Sequence, residues 1–201
     1  MDWVALAAEV VPSVALAIGL AACAGLRAWL PLLLAGGCAR LGFLELGDSF
    51  QFIASTRALI LFGVATVLEM AGDKIPAVDH ALDAISTILR PAAAVLLTAS
   101  VMWRIDDPLV ALAVGLAVGA PTALVPHAAK SLLRTASSVL TFGLANPIVS
   151  IVEDIMAVVL FVAAVLVPMV VAGVVVLVSL LVLRRLLRRR ATAPASPVPA
   201  T

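Results

Sequence analysis

The sequence predicts an all-α integral membrane protein with about five to six hydrophobic helices and two further amphipathic or re-entrant ones. Three observations carry this reading. Of 201 residues, 64% are hydrophobic and only 12% are charged, with a mean hydropathy of +1.21, far from the usage of a soluble domain. Several apolar runs reach the roughly 20 residues that a bilayer-spanning helix needs, and none alternates like the strands of a membrane barrel. The ionisable residues are gathered into a few stretches, the densest being Glu69 to Pro91, EMAGDKIPAVDHALDAISTILRP.

One helical domain covers residues 1–190, and the small, proline-rich tail, 191–201, has a disordered composition. The N-terminus carries Asp2 and Glu9 without an early basic residue, so it lacks the charged opening of a cleavable signal peptide and reads as the start of the first membrane helix. The apolar segment from about Val10 to Leu41 is too long for one untilted span. Gly25, Arg27 and Pro31 interrupt it within GLRAWLP, which predicts a broken or kinked helix. An arginine near mid-bilayer costs roughly 2.5–3.5 kcal/mol on insertion scales, so Arg27 faces protein or water, or else the span ends near Gly25 and the side chain snorkels to an interface.

Residues 42–56 read as a polar loop and 57–71 as a second span with Glu69 at its far end. Glu69 and Asp73 are four apart and share one helical face, and Ile75-Pro76 breaks the chain after them. From Asp79, a plausible N-cap, the residues Asp79, His80, Asp83, Ser86, Thr87 and Arg90 fall on one arc of an amphipathic helix that Pro91 should end. The segments 91–103 and 108–126 flank the turn WRIDDP, where Trp103 and Arg104 fit an interface. The first is short, so its span borrows residues from the amphipathic helix or crosses a thinned zone. A second amphipathic helix, 127–141, groups His127, Lys130, Ser131, Arg134, Ser137, Ser138 and Thr141 on a basic face. Asn146-Pro147 then opens the last apolar stretch, an N-cap followed by proline at the first helical position. With Pro168 midway, that stretch is one long kinked helix or two spans joined tightly.

VALAIGLA, 14–21, recurs as VALAVGLA, 110–117, each followed by a proline near the same offset, Pro31 and Pro126. The echo suggests either an internal repeat or low-complexity coincidence, and duplicated halves with interrupted helices are a transporter signature.

If 91–103 and 108–126 form a transmembrane hairpin, the run from Glu69 to Arg90 and the helix from His127 lie on one side, with Glu153 and Asp154 near it. Paired charges tolerate membrane depth far better than lone ones, so Asp79 and Asp83 are expected to pair with Lys130 and Arg134. Glu69 and Glu153 are either proton- or cation-linked carboxylates or charges neutralised by Lys74, Lys130 or Arg134 that fix helix packing. Oxygen and imidazole donors at Glu69, Asp79, His80, Asp83 and His127 raise a metal site, but no complete ligand signature is present and Lys130 and Arg134 compete for the carboxylates. No nucleophile motif and no glycine-rich phosphate loop is present, so neither catalysis nor a cofactor is expected. Cys23 and Cys38 read as small apolar filler.

GLRAWLPLLLAG, EMAGDKIPAVDHALDAISTILRPAAA and HAAKSLLRTASSVLTFGLANPIVSIVEDIMAVVL together resemble the bacterial multi-pass membrane family catalogued as domain of unknown function 4126. The resemblance covers nearly the whole chain except the tail. It implies a bacterial inner-membrane protein and transfers no catalytic or ligand residue.

The resulting expectation is a one-sided polar cavity lined by Arg27, Glu69, Asp73, Lys74, Asp79, His80, Asp83, Arg90, His127, Lys130, Arg134, Asn146, Glu153 and Asp154, suited to permeation of a small ion or polar solute. The alternative is a non-transporting protein whose charges lock helices or hold a lipid head group or partner, and a metal-dependent enzyme is the weakest class. The five arginines within 184–190 suit anionic lipid and a cytoplasmic C-terminus, not nucleic acid, and a homo-oligomer is left open.

Overall fold

The computed structural model describes residues 3–73, 76–141 and 146–191, all α-, 3₁₀- or π-helices and the turns between them, with no strand among those residues. The tail beyond Ala191 lies outside them. The elements are α1 (Trp3–Leu26), α2 (Trp29–Arg40), a 3₁₀ helix (Asp48–Ala54), α3 (Thr56–Gly72), α4 (Pro76–Val101), α5 (Pro108–Val114), a π-helical turn (Gly115–Gly119), α6 (Ala120–Thr141), α7 (Asn146–Leu166) and α8 (Pro168–Ala191).

Local sequence explains most of the ends. Ser55 caps α3 by accepting from the Ala58 amide, and Asp107 caps α5 by accepting from Leu109 and Val110, with Pro108 in the first turn. After Arg40 the chain leaves α2 through Gly42, whose φ of +78° is strained for any residue with a Cβ. There the Phe43 amide donates to the Cys38 carbonyl and the Gly42 amide to that of Ala39, a Schellman turn.

Among the described residues, three stretches are long and apolar enough to cross a membrane: 108–135, 147–166 and 168–185. The 3₁₀ helix and α3, bent by 58°, make a fourth if taken as one broken span. The shorter apolar helices Val10–Leu26 and Ile85–Val101 complete the bundle. Large apolar side chains cover its outside, among them Ile60, Ile88, Leu109, Leu132 and Val170. This is a helical membrane protein.

Both proline breaks expected at 91 and 126 are absent. Pro91 lies inside α4 and Pro126 inside α6, so each amphipathic stretch is half of a longer helix. A proline removes one helical hydrogen bond. Ending the helix in apolar surroundings would strand several backbone groups, the larger penalty. Helix α4 also begins at Pro76, not at Asp79, using a proline where the amide has no helical partner. The apolar stretch from 146 is two helices, separated at Val167.

The course of the chain follows from shared surroundings. Ser13 of α1 and Ala39 of α2 both lie in clefts lined by Trp103, so α1 and α2 run to the same end of the bundle and form a hairpin whose tip is Arg27-Ala28. Val165 and Pro168 share the cleft of Ser13, while Val152 and Val182 flank another cavity far from it, so α7 and α8 are antiparallel.

Helix α1 packs against α4, α6, α7 and α8, because ALAIGLAACAGL is mostly small side chains. In lipid, helix association depends on such close packing. A Cβ at Gly25 would lie 2.3 Å from the Ala123 carbonyl oxygen of α6, and one at Gly19 would lie 2.6 Å from the Ala164 Cβ of α7. Gly115 and Gly119 of the π turn press in the same way on the Val95 and Ala94 carbonyls of α4.

Gly25→Ala should therefore lower stability by about 1–3 kcal/mol, since a backbone carbonyl must move to admit the methyl group. Gly37→Ala, in α2 with nothing within 4 Å of the new Cβ, should be neutral or stabilising by up to about 1 kcal/mol through helix propensity. Unfolding midpoints of the two variants in one detergent check the contrast.

Candidate functional site

The site forms where the α1–α2 hairpin turns. Helix α1 stops at Leu26, and the first amides of α2 are met by a side chain from α3: Glu69 accepts from the Ala28 amide (3.2 Å) and from the Trp29 amide (3.3 Å). A carboxylate there complements the positive end of the helix. Pro31, in the first turn, has no amide to satisfy. Trp29 stacks on Phe62 of α3, centroids 6.2 Å apart, which holds Glu69 against this end.

Arg27, between the two helices, is 0% exposed, so it faces protein and does not snorkel. Its Nη1 donates to Asp73 Oδ2, and its Nη2 lies 2.5 Å from Asp154 Oδ1 and 3.9 Å from Glu153 Oε2. The same Nη2 donates to the Ser150 hydroxyl at 3.0 Å and the Ser150 carbonyl at 3.3 Å. Asp73 sits just past the end of α3, and Ser150, Glu153 and Asp154 share one face of α7 at helical spacing.

Helix α6 brings two more cations, one turn apart. Lys130 Nζ lies 3.2 Å from Asp73 Oδ2 and 3.1 Å from Glu153 Oε2. Arg134 Nη2 lies 2.9 Å and 3.1 Å from the same two oxygens. Asp73 and Glu153 thus alternate with Lys130 and Arg134 around a closed ring, with Arg27 joined to it. A further group lies beside Glu69: Arg90 Nη2 is 3.8 Å from Glu69 Oε1, and Arg90 Nη1 donates to His127 Nδ1 at 2.8 Å. Because arginine cannot accept, that bond requires a neutral His127 with its proton on Nε2.

Among the described residues the cluster holds four cations, Arg27, Arg90, Lys130 and Arg134, against four carboxylates, Glu69, Asp73, Glu153 and Asp154, and none is more than 9% exposed. Solvent cannot screen them. A unit pair at 4 Å, worth about 1 kcal/mol in water, interacts several times more strongly at the dielectric of a protein interior. Within it, Arg27 Nε and Glu153 Oε1 are buried without a hydrogen-bond partner among the described residues.

Of the residues expected to line a polar cavity, the structure brings Arg27, Glu69, Asp73, Arg90, His127, Lys130, Arg134, Glu153 and Asp154 together. Lys74 and the side chains of Asp79, His80, Asp83 and Asn146 lie outside the described residues, so the expected pairing of Asp79 and Asp83 with Lys130 and Arg134 does too. The described partners of those cations are Asp73 and Glu153. Among the described residues, no group of three or more His, Cys, Asp and Glu side chains could hold a metal ion. Ser150 was missed by the sequence reading, although its spacing from Glu153 and Asp154 puts it on their face. The amides that hold Glu69 have no signature in side chains.

Comparison with known proteins gives one match. A family model described as domain of unknown function (DUF4126) matches residues 14–189. No curated protein matches the chain, and no solved structure does.

Asp73 meets three cations, Arg27, Lys130 and Arg134. Asp73→Asn leaves Arg27, Lys130 and Arg134 around a neutral amide and should cost about 3–5 kcal/mol, as breaking a buried ion pair does. Asp107→Asn, at an exposed cap that asparagine serves equally well, should stay within about 0.5 kcal/mol. Unfolding midpoints in detergent check both.

Proposed function

The chain belongs to the DUF4126 family, and for this member we propose the passage of a small ion or polar solute across a bacterial inner membrane, with the ion-pair cluster as the gate. The observation that supports this is a four-on-four charge cluster closed inside an apolar helical bundle at a helix break. Packing alone gives no reason for it. Buried ion pairs replaced by well-packed apolar residues are often neutral or stabilising, so such a cluster is a costly way to join helices. Ionisable groups inside membrane segments mark ion and substrate routes, and discontinuous helices are where transporters place their sites.

Depth agrees with this reading. From Arg90 to Val101 along α4, and from Glu153 to Leu166 along α7, the helical rise gives about 17 and 20 Å, less than the hydrocarbon thickness of about 30 Å. The cluster then lies within the membrane, nearer the end where α8 finishes. With the arginines of 184–190 in the cytoplasm, that end is the cytoplasmic one. Lys130 and Arg134 each touch both Asp73 and Glu153, so either carboxylate can be released to a guest while the other keeps the cation. Glu153 Oε1 and Arg27 Nε have bonding capacity to offer that guest. No catalytic step is assigned to the cluster.

A second reading, a non-transporting membrane protein locked by the same charges, is favoured by the equal numbers of cations and carboxylates among the described residues of the cluster. Electrogenic currents in liposomes across a panel of ions and pH steps separate the two. Under the transport reading the wild type conducts, and Glu153→Gln lowers flux at least about tenfold, about 1.4 kcal/mol at the barrier, while the helical spectrum is retained. Silence from the wild type, with Glu153→Gln merely less stable, would select the locked bundle.

A further inference from the structure

A cavity of about 870 Å³ lies between α6 on one side and α7 with α8 on the other, its inner wall formed by Ala22 and Leu26 of α1. Its outer walls carry Leu133, Leu140, Ile148, Val152, Val178 and Val182. Lys130 and Glu153 reach its inner edge, but their charges are turned into the cluster, 2% and 6% exposed. The cavity opens sideways onto the apolar surface, since Leu133, Leu140 and Ile148 on its rim are 62%, 80% and 65% exposed.

Such a space selects its contents. Water needs two to four polar partners, and the wall presents almost none. An empty space forfeits the dispersion contacts of every atom around it. A hydrocarbon chain meets neither objection, and the surrounding bilayer supplies one. The end of the cavity then decides which lipid enters. Val182, on the wall, is followed three residues on, and so on the same helical face, by Arg185, which is exposed. A chain lying along α8 from Val182 towards Val174 covers about 12 Å and leaves its head at that arginine.

We propose that this cavity is a binding site for one anionic phospholipid, with an acyl chain held between α6, α7 and α8 and the phosphate-bearing head at Arg185. This is more than attraction of the arginine cluster to a charged surface. It assigns a bound lipid inside the helix packing, with a chain site and a head site on one helix. The site is separate from the gate proposed above, and its test reads lipid, not flux.

The full chain is reconstituted in nanodiscs containing equal phosphatidylglycerol and phosphatidylcholine, extracted in mild detergent, and weighed by native mass spectrometry. The wild type should keep one phosphatidylglycerol per chain in preference to phosphatidylcholine. Val178→Trp, which fills the cavity, should lose it, whereas Leu177→Trp, exposed and off the cavity wall, should keep it. Arg185→Gln, on the cavity face, should lower the preference for phosphatidylglycerol roughly fivefold, as a basic residue near a charged lipid surface contributes, and should do so more than Arg184→Gln on the opposite face.

Retention of both lipids in their bilayer ratio by the wild type would overturn the proposal. So would undiminished phosphatidylglycerol on a folded Val178→Trp, or a lipid-free dimer, which would make a second copy of the chain the occupant. Should Val178→Trp fail to fold, phosphatidylglycerol with a photoactivatable group on its acyl chain decides the matter on the wild type. Labelling concentrated within 148–156 and 174–182 supports the site, and labelling spread evenly over the outer surface overturns it.

Discussion

Arg27 sits where no water reaches it, and a guanidinium does not shed its charge to escape. Carboxylates have to come to it, which they do from the end of α3 (Asp73) and from one face of α7 (Glu153 and Asp154). Those carboxylates outnumber the single arginine, and α6 restores the balance with Lys130 and Arg134. On the other side of the break, Glu69 satisfies the start of α2 and draws in Arg90 of α4. Most of the bundle is thereby tied in register to one buried charge. An arginine at the hairpin tip is tolerable only if all these helices arrive together.

They can arrive because the crossings are nearly free of side chains. Glycine at 25, 115 and 119 lets backbone pass close to backbone, and glycine at 19 admits the Ala164 methyl, which fixes helix spacing closely. The same economy is missing between α6 and the α7–α8 pair, where Leu133, Ile148 and Val178 face open space. The molecule therefore has a tight side, which aligns the charges, and a loose side, where the cavity walls stand open.

Much of this was legible before any coordinates. Apolar run lengths gave the class, and the breaks near Arg27, Pro76 and Pro168 followed from residues that cannot continue a helix in place. Selecting Glu69, Asp73, Lys130, Arg134 and Glu153 needed only the argument that lone charges do not survive in hydrocarbon. Two kinds of information were out of reach. Pro91 and Pro126 look like terminators locally, and only apolar surroundings, where a broken helix strands more backbone than a proline does, keep α4 and α6 continuous. Partner choice was the other. Lys130 and Arg134 sit on an amphipathic face that any nearby acid could satisfy, and their engagement of Asp73 and Glu153 depends on how α3 and α7 approach α6. The echo between 14–21 and 110–117 meets different geometry in its two places: the first copy lies wholly within α1, the second crosses from α5 into the π turn.

That π turn acts as a phase shift. A single-turn widening accommodates an extra residue in an otherwise α-helical path, and each residue turns the helix by about 100°. Residues 115–119 press on α4, whereas Lys130 and Arg134, about three turns further on, must point at Asp73 and Glu153. The widening sets the angle between these two duties. The segment between the glycine contacts and the basic face is therefore intolerant of length change. Losing one residue there would keep the composition, the hydropathy and every charge, yet rotate two buried cations away from their acids and towards the lipid.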